Sequence, residues 1–357
     1  MARPGGRGHG DVYLDKPRWV CHNSNVALIT ITKLANDIPN EDAAYRFLEH
    51  LRWPDKPVCP HCGSINDHYF LAPKSAVGRK TRTGAISQRR VWKCREKGCR
   101  KQFSVMTGTI FHGSKVPLRI WLFVVFEMAA NKNGLAAREV ERKYGVSPKT
   151  AWFMTHRIRE AMKVRAPGML VGAIVADETW IGGDPTKDNH YKPEPAPERV
   201  TPANRPNLNT AKTPVLSLIN TTTGEVRSKV VSDVSGNTLR KVIGEQVNMG
   251  ASTLTTDEGA QYLHLGKEFL THQTVNHSHR EYARHGVTSN QAENYFSQLK
   301  RSLDGTHHHV SKEHLDRYLA EFDFRYSTRE ITDTERVYRL MGQTAGRRIS
   351  YKRIAGG

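Results

Sequence analysis

Three carboxylates and a lysine are spaced as parts of one site. Asp257 lies 80 positions after Asp177, Glu293 follows after 35 intervening residues, and Lys300 stands seven beyond Glu293. The chain as a whole carries a formal net charge of +19. Carboxylates gathered together need a counter-charge, because like charges brought out of water repel and lose hydration. A pair of Mg²⁺ (or Mn²⁺) ions supplies it wherever phosphate is the substrate. The chemistry expected is in-line attack at phosphorus, cutting and joining phosphodiesters. Asp177 is expected to bridge two metals, Asp257 and Glu293 to hold one side each, and Lys300 to hold a DNA phosphate. Glu178 and Glu258 directly follow the two aspartates, but neighbouring residues point differently, so the aspartates are preferred as ligands. Asn290, one helical turn before Glu293, is a helix cap or a further positioning group. Any one of these acids alone also suits a turn or a cap; the joint spacing favours the set.

A second constellation is made of thiols. Cys59 and Cys62 enclose two residues, and Cys94 and Cys99 enclose four. Two short loops, each presenting a pair, can meet around one tetrahedral Zn²⁺. Pro60, Gly63 and Gly98 suit tight knuckle turns. Four thiolates close the coordination sphere, so this zinc is expected to be structural and to fold a segment too small for its own core. His61 is a substitute ligand or a surface residue, and Cys21 has no assigned role. Arg79, Lys80, Arg82, Arg89, Arg90 and Lys93 crowd the stretch between the pairs, either as phosphate contacts or as a solvated basic face. His277, His279 and His307 to His309 are poor ligands for hard Mg²⁺ and fit DNA contact, hydrogen bonding at the catalytic edge or an ordinary surface better.

The elements that position these groups follow from periodicity. Asn40 is placed to cap a helix with Ala43, Ala44, Phe47 and Leu51 on its apolar side. Residues 117–165 read as helices. Within them, a helix to Lys143, a turn with Gly145, and a second helix opened by Ser147 and Pro148 form a helix-turn-helix candidate. Its second helix offers Lys149, Thr150, His156, Arg157 and Arg159, of which Lys149, Thr150, Arg157 and Arg159, with Arg301 further on, are the expected DNA contacts. Trp152, Ile158 and Met162 read as core. Residues 169–183 read as a strand ending at Asp177 and its turn, and 184–212 as a loop. Residues 214–220 and 225–232 read as a hairpin about Thr223 and Gly224. A helix capped by Asn237 is expected to run to about Met249, then a short strand over 252–256 delivers Asp257. A strand over 273–275 and helices over 290–303 and 312–326 complete the series. Three strands, a helix, a strand and a helix form an α/β, RNase H-like pattern with acids at the strand ends.

Composition sets the partners. Lys and Arg number 54 against 35 Asp and Glu, which favours a polyanion, here double-stranded DNA. The longest apolar run, near residues 120–130, contains Glu127 and is too short to cross a bilayer, so no membrane is expected. The first ten residues lack an apolar signal segment. The expected location is cytoplasmic and nucleoid-associated.

At this point the chain resembles a known family, the insertion-sequence DDE transposases of the zinc-ribbon type numbered fifteen-ninety-five. The stretches that carry the resemblance are 52–63 (RWPDKPVCPHCG), 103–111 (FSVMTGTIF), 151–162 (AWFMTHRIREAM), 177–183 (DETWIGG), 256–258 (TDE), 275–278 (VNHS), 289–293 (SNQAE), 299–301 (LKR), 305–311 (GTHHHVS) and 321–326 (EFDFRY). The resemblance runs from about residue 35 to about 330. It implies an RNase H-like catalytic domain preceded by a zinc ribbon and a helical helix-turn-helix region. It also implies divalent-metal cleavage and strand transfer at terminal inverted repeats, with Asp177, Asp257 and Glu293 as the catalytic acids. Some relatives use Asn as the third residue, which keeps Asn290 as a secondary candidate. The chain departs from the family at Phe296 (usually Trp), at Thr288 and Ser289 (His-Thr) and at Ser327 (Asn), positions that bear on DNA-end preference.

The domain division expected is a disordered basic arm (1–34), an N-terminal helix and zinc ribbon (35–112), a helix-turn-helix region (113–165), the catalytic domain (166–330) and a basic C-terminal tail (331–357). Coordinated cleavage and joining of two ends implies a homo-oligomer in the synaptic complex. The competing readings are a non-catalytic zinc-ribbon and helix-turn-helix regulator derived from a transposase, and a metal-dependent nuclease without joining activity.

Overall fold

The computed structural model describes residues 29–65, 68–72, 79–80, 86–87, 89–164, 167–182, 212–275 and 290–354. Most of the expected arm, Cys21, Arg82, most of the 184–212 loop, His277, His279 and the Thr288–Ser289 departure lie outside the described residues.

The described residues open with α1 (Ile31–Asp37) and α2 (Glu41–Arg52). Thr30 caps α1 through the Lys33 amide, and Leu34 is buried, so the end of the stretch expected as a disordered arm is a packed helix. Asn40 caps α2 as expected, accepting from the Ala43 amide. Five two-residue strands follow: β1 (Tyr69–Phe70), β2 (Arg79–Lys80), β3 (Ile86–Ser87), β4 (Trp92–Lys93) and β5 (Gln102–Phe103). β1, β4 and β5 form one antiparallel sheet, and β2 pairs with β3.

Three helices come next: α3 (Leu118–Ala130), α4 (Ala137–Tyr144) and α5 (Pro148–Met162). α3 buries residues all round, including Leu118, Trp121, Leu122, Val125 and Met128, which makes it a central core helix and explains the apolar run. Among the described residues no helix is long and apolar enough to cross a membrane. Gly145 ends α4 in the left-handed region (φ 63°), where a Cβ would be strained. Ser147 then caps α5, with Pro148 in its first turn.

A five-stranded sheet forms the second half, from β6 (Leu170–Ile181), β7 (Thr213–Asn220), β8 (Val226–Val230), β9 (Val247–Thr256) and β10 (Thr271–Thr274), in the order β10-β9-β6-β7-β8. β6, β7 and β8 are antiparallel neighbours, whereas β9 runs parallel to both β6 and β10. All eight residues of β7 are buried, as a central strand covered on both faces requires. α6 (Gly236–Gly244) covers one face, with Leu239 and Ile243 against Ile174, Ala176 and Leu218. α7 (Asn290–Ser302) and α8 (Lys312–Ser327) cover the other, with Phe296 and Leu319 against Val175 and Ile219. α6 is capped by Ser235 and stops at Gly244, earlier than the expected Asn237-to-Met249 helix, because the β-compatible run from Val247 joins the sheet as β9.

The last elements are α9 (Asp333–Gly342) and α10 (Tyr351–Ile354). Thr332 and Glu335 close α9 with a reciprocal capping box. Val337, Leu340 and Met341 enter the same core as α2, α3 and α5. The stretch expected as a basic tail is therefore largely structural: an amphipathic helix returns the chain to the N-terminal core.

Candidate metal centres and nucleic-acid site

The cysteines meet as expected. The Sγ atoms of Cys59, Cys62, Cys94 and Cys99 all lie within 4.8 Å of one another. Cys59 Sγ is 3.8 Å from Cys99 Sγ, and Cys62 Sγ is 3.7 Å from Cys94 Sγ. Four sulfurs at ~2.3 Å from a tetrahedral Zn²⁺ stand about 3.8 Å apart, so the spacing fits the ion. The first knuckle is closed by Gly63 N–H to Cys59 O (2.8 Å), with Gly63 at φ 74°. In the second, Cys99 N–H donates to Glu96 O, and the left-handed residue is Arg100 (φ 49°) rather than Gly98. Burial pushes the Cys94 thiol up to about 12, whereas the Lys101 backbone amide draws Cys99 down. His61 is exposed and lies against Gln102 O, outside the sulfur group. Glu49 of α2 anchors the ribbon, accepting from Trp92 Nε1 (2.9 Å) and pairing with Arg90 Nε (2.9 Å). Arg90 is thus committed inside the chain, while Arg89 is exposed and donates to Ser114 O.

The acids are positioned by strand register. Ile174 pairs with Leu254 and Val175 with Thr255 across β6 and β9. Carried on by two residues, this register sets Asp177 of β6 against Asp257, the residue just past the end of β9, about one strand spacing (~4.8 Å) away. Alternation then sets the faces. Val175 and Ile181 pack with α7 and α8, so Asp177 shares their side. Leu254 packs with α6, so Thr255 and Asp257 look the other way, to the side of Asp177. Asp177 lies inside β6 rather than at its end, because the ladder with β7 continues to the Ile181–Thr213 pair. The Glu178 amide donates to Asp177 Oδ1 (2.7 Å), and the Gly259 amide to Asp257 Oδ1 (3.0 Å). Both aspartates are half-buried.

Glu293 is exposed in the first turn of α7, which packs on β6 and β7 over the same face. Lys300 is exposed two turns later and nearly in line with it. Asn290 is the exposed first residue of α7. Among the described residues, the acids are not drawn into a tight ligand group as the cysteines are.

Glu178, which the sequence disfavours as a ligand, faces the opposite side of the sheet from Asp177. It accepts from Tyr262 Oη at 2.5 Å. Burial drives its carboxyl up to about 7; the Tyr262 hydrogen bond opposes this, and the Asp257 and Asp177 charges reinforce it. Its partner comes from a turn 84 residues away, a contact that β-strand alternation alone could not reveal.

The expected DNA contacts divide. Lys149 is exposed at the start of α5, with its ammonium 4.3 Å from the Tyr351 ring, and Thr150 Oγ1 lies 2.8 Å from Ser147 Oγ. Arg301 is exposed and folds back onto Ser297. Arg157 and Arg159 are not available to DNA. Arg157 is 3% exposed, donates to His112 O and packs against Trp121 and Phe153. Arg159 is 1% exposed and pairs with Glu321 Oε2 at 2.6 Å. Their side of α5 faces the core and α8, because Met154, Ile158 and Met162 turn it inward. Arg325 completes this buried group, pairing with Glu321 and donating to the Met128 and Asn131 carbonyls at the end of α3. His307 is half-buried beside Tyr318 and Phe322, while His308 and His309 are exposed.

Comparison with known proteins finds matches to both the ribbon and the sheet domain. A profile described as "Transposase zinc-ribbon domain" matches residues 39–102, and one described as "ISXO2-like transposase domain" matches residues 169–327. A protein of Halobacterium salinarum, described as "Uncharacterized protein in transposable element ISH50", is 25% identical over 288 residues, covering 80% of this chain and 90% of that one. With its ribbon and its sheet domain both matching the same group, the chain belongs to the zinc-ribbon IS1595 transposase family.

Proposed function

We propose that the chain is an active DDE transposase of an insertion sequence, which binds terminal inverted repeats and carries out metal-dependent phosphodiester hydrolysis and strand transfer. The observation that carries this reading is the parallel register of β6 and β9, which brings Asp177 on β6 toward Asp257 just past the end of β9, on the face that α7 covers with Glu293. The order β8-β7-β6-β9-β10, with three antiparallel strands followed by two parallel ones, supports an RNase H-like core.

The donor set suits a hard divalent ion: two half-buried aspartates about one strand apart repel each other and gain most from a cation between them. Asp177, Asp257 and Glu293 would hold Mg²⁺ or Mn²⁺, which when bound supplies Lewis-acid stabilisation of the charge developing at phosphorus. The backbone amides of Glu178 and Gly259 orient the two aspartates. Lys300, on the Glu293 side of α7, holds a phosphate of the DNA as a point charge. The four cysteines hold Zn²⁺ as a structural ion. Double-stranded DNA is met by the helix-turn-helix of α4 and α5 through Lys149 and Thr150, and by Arg301 near the acids.

The domains follow as a short arm, a helix and zinc ribbon to about residue 112, a helix-turn-helix region to about 165 and a catalytic domain to about 330, with α9 closing back on the N-terminal core. Two ends must be cut in concert, which calls for a homo-oligomer, and a DNA substrate places the protein in the cytoplasm at the nucleoid. With Mg²⁺ or Mn²⁺, purified protein is expected to nick DNA at the ends of its own element. Asp257→Asn is expected to abolish cleavage by at least 100-fold, on the order of one lost transition-state contact, with end binding retained. Wild-type protein that binds those ends and never cuts with any divalent metal would instead establish the regulator reading.

A further inference from the structure

The stretch 321–326 contains two charged residues, Glu321 and Arg325, that lock α8 to α5 and α3. Its other two polar residues, Asp323 and Tyr326, point elsewhere, and both meet α7 within two residues of Glu293. We propose that Asp323 and Tyr326, acting with Tyr295, are positioning residues that fix Glu293 relative to the strand bearing Asp177. This rests on the transposase reading of the three acids.

The anchor after Glu293 is Tyr295. Its side chain is 1% exposed, and its hydroxyl donates to Asp323 Oδ1 at 2.7 Å. Ser228 of β8 grips the same carboxylate twice, through Oγ to Oδ1 (2.7 Å) and through its amide to Oδ2 (2.7 Å). Ser217 Oγ, on β7, lies 2.8 Å from Ser228 Oγ and is fully buried. The proton count closes: Tyr295 and Ser228 each give one hydroxyl proton to Asp323, and Ser217 gives its own to Ser228. Ser217 is also the β7 residue directly paired with Asp177 across the ladder. One continuous polar path therefore runs from the Asp177 position, through β7 and β8, into α8 and on to α7.

The anchor before Glu293 is Gln291, whose carbonyl accepts from Tyr326 Oη at 3.2 Å. The Tyr295 and Tyr326 rings pack edge to face, with centroids 5.3 Å apart. Glu293 is thus bracketed two residues to either side by groups from a single turn of α8. An exposed carboxylate at the start of a helix is otherwise free to fray with the first turn. Held at both neighbours, it is limited to side-chain motion, which is what a metal ligand needs from its support.

The test is Mn²⁺ binding to the full-length, zinc-loaded protein without DNA, followed by electron paramagnetic resonance, with cleavage measured alongside. The Mn²⁺ lost in Asp257→Asn defines the acidic site. Tyr295→Phe keeps the ring and removes the hydroxyl; Asp323→Asn and Tyr326→Phe are independent variants should it fail to fold. Each is expected to weaken Mn²⁺ binding at that site by about tenfold and to raise the metal needed for half-maximal cleavage in parallel, with DNA binding unchanged. Val337→Ala, in the distant N-terminal core, is the stability control and is expected to leave Mn²⁺ affinity as in wild type. Wild-type affinity in all three variants, or equal weakening in the control, overturns the positioning role while the acids stand. Wild-type protein with no Mn²⁺ dependent on Asp257 overturns the acidic-site reading itself, and the positioning role with it.

Discussion

His156, on α5, is fully buried, and neither ring nitrogen has a hydrogen-bond partner among the described residues. It is wedged between Trp152, His314 and Tyr318, with Arg159, Arg317 and His307 close by. Burial first, and then the Arg159 and His314 charges, hold its pKa down to about 2. A base whose folded pKa is depressed lends stability above its ordinary pKa of 6.5 and forfeits it as pH falls toward the folded value. Between pH 6.5 and 5 that amounts to about 2 kcal/mol, at about 1.4 kcal/mol per unit. Wild type is therefore expected to lose about 2 kcal/mol more than His156→Phe between pH 7 and 5, as read by urea unfolding; equal losses would show that the ring finds a proton in the folded state. Sequence placed His156 on a helix and no further, since its neighbours on α8 lie some 160 positions away. The same distance hid the role of Arg159. A helix whose sequence reads as basic and nucleic-acid-binding presents two of its arginines to the protein interior.

Elements were legible where a local signal set them and not where partners did. The knuckle cysteines, the Asn40 and Ser147 caps and the helix from Asn290 are local, and they are found where the sequence puts them. The level placing of Asp177 and Asp257 was not legible, because parallel register is fixed by the whole sheet rather than by either strand. The ribbon is the element with least core of its own: two-residue strands, four sulfurs, and Trp53 meeting Trp92 and Phe103 edge to face. An ion held by the four sulfurs would supply much of its folding energy. Chelation of zinc is expected to unfold this element alone, with a red shift and loss of near-ultraviolet ellipticity from Trp53 and Trp92 and little loss of helical signal. Helix content falling in step would show instead that α2 and α3 depend on the ribbon; Glu49, which joins α2 to Trp92 and Arg90, is where such coupling would pass.

Across the whole molecule, residues far from α5 in sequence lie along the helix that the proposed function assigns to DNA. Arg347 donates to the Glu160 and Lys163 carbonyls, at the C-terminal end of α5. Four residues later Tyr351 packs against Trp152 (6.0 Å) and Phe153 (5.6 Å), near its N-terminal end, and under Lys149. Residues 347–351 thus run back along the helix that the proposed function assigns to the major groove. The Lys149 ammonium over that ring is held in a cation–π contact of about 0.5–1 kcal/mol at an exposed site. A phosphate must compete with this contact, and a groove must displace the ring. Tyr351→Ala removes the ring without altering charge, so the counterion contribution to DNA binding stays constant. Affinity for duplex DNA at fixed salt is expected to rise about two- to fivefold, from the released contact energy. Fluorescence anisotropy against salt concentration separates the outcomes. A rise at unchanged slope means that the ring shields α5, whereas a fall in affinity means that Tyr351 is itself part of the DNA surface.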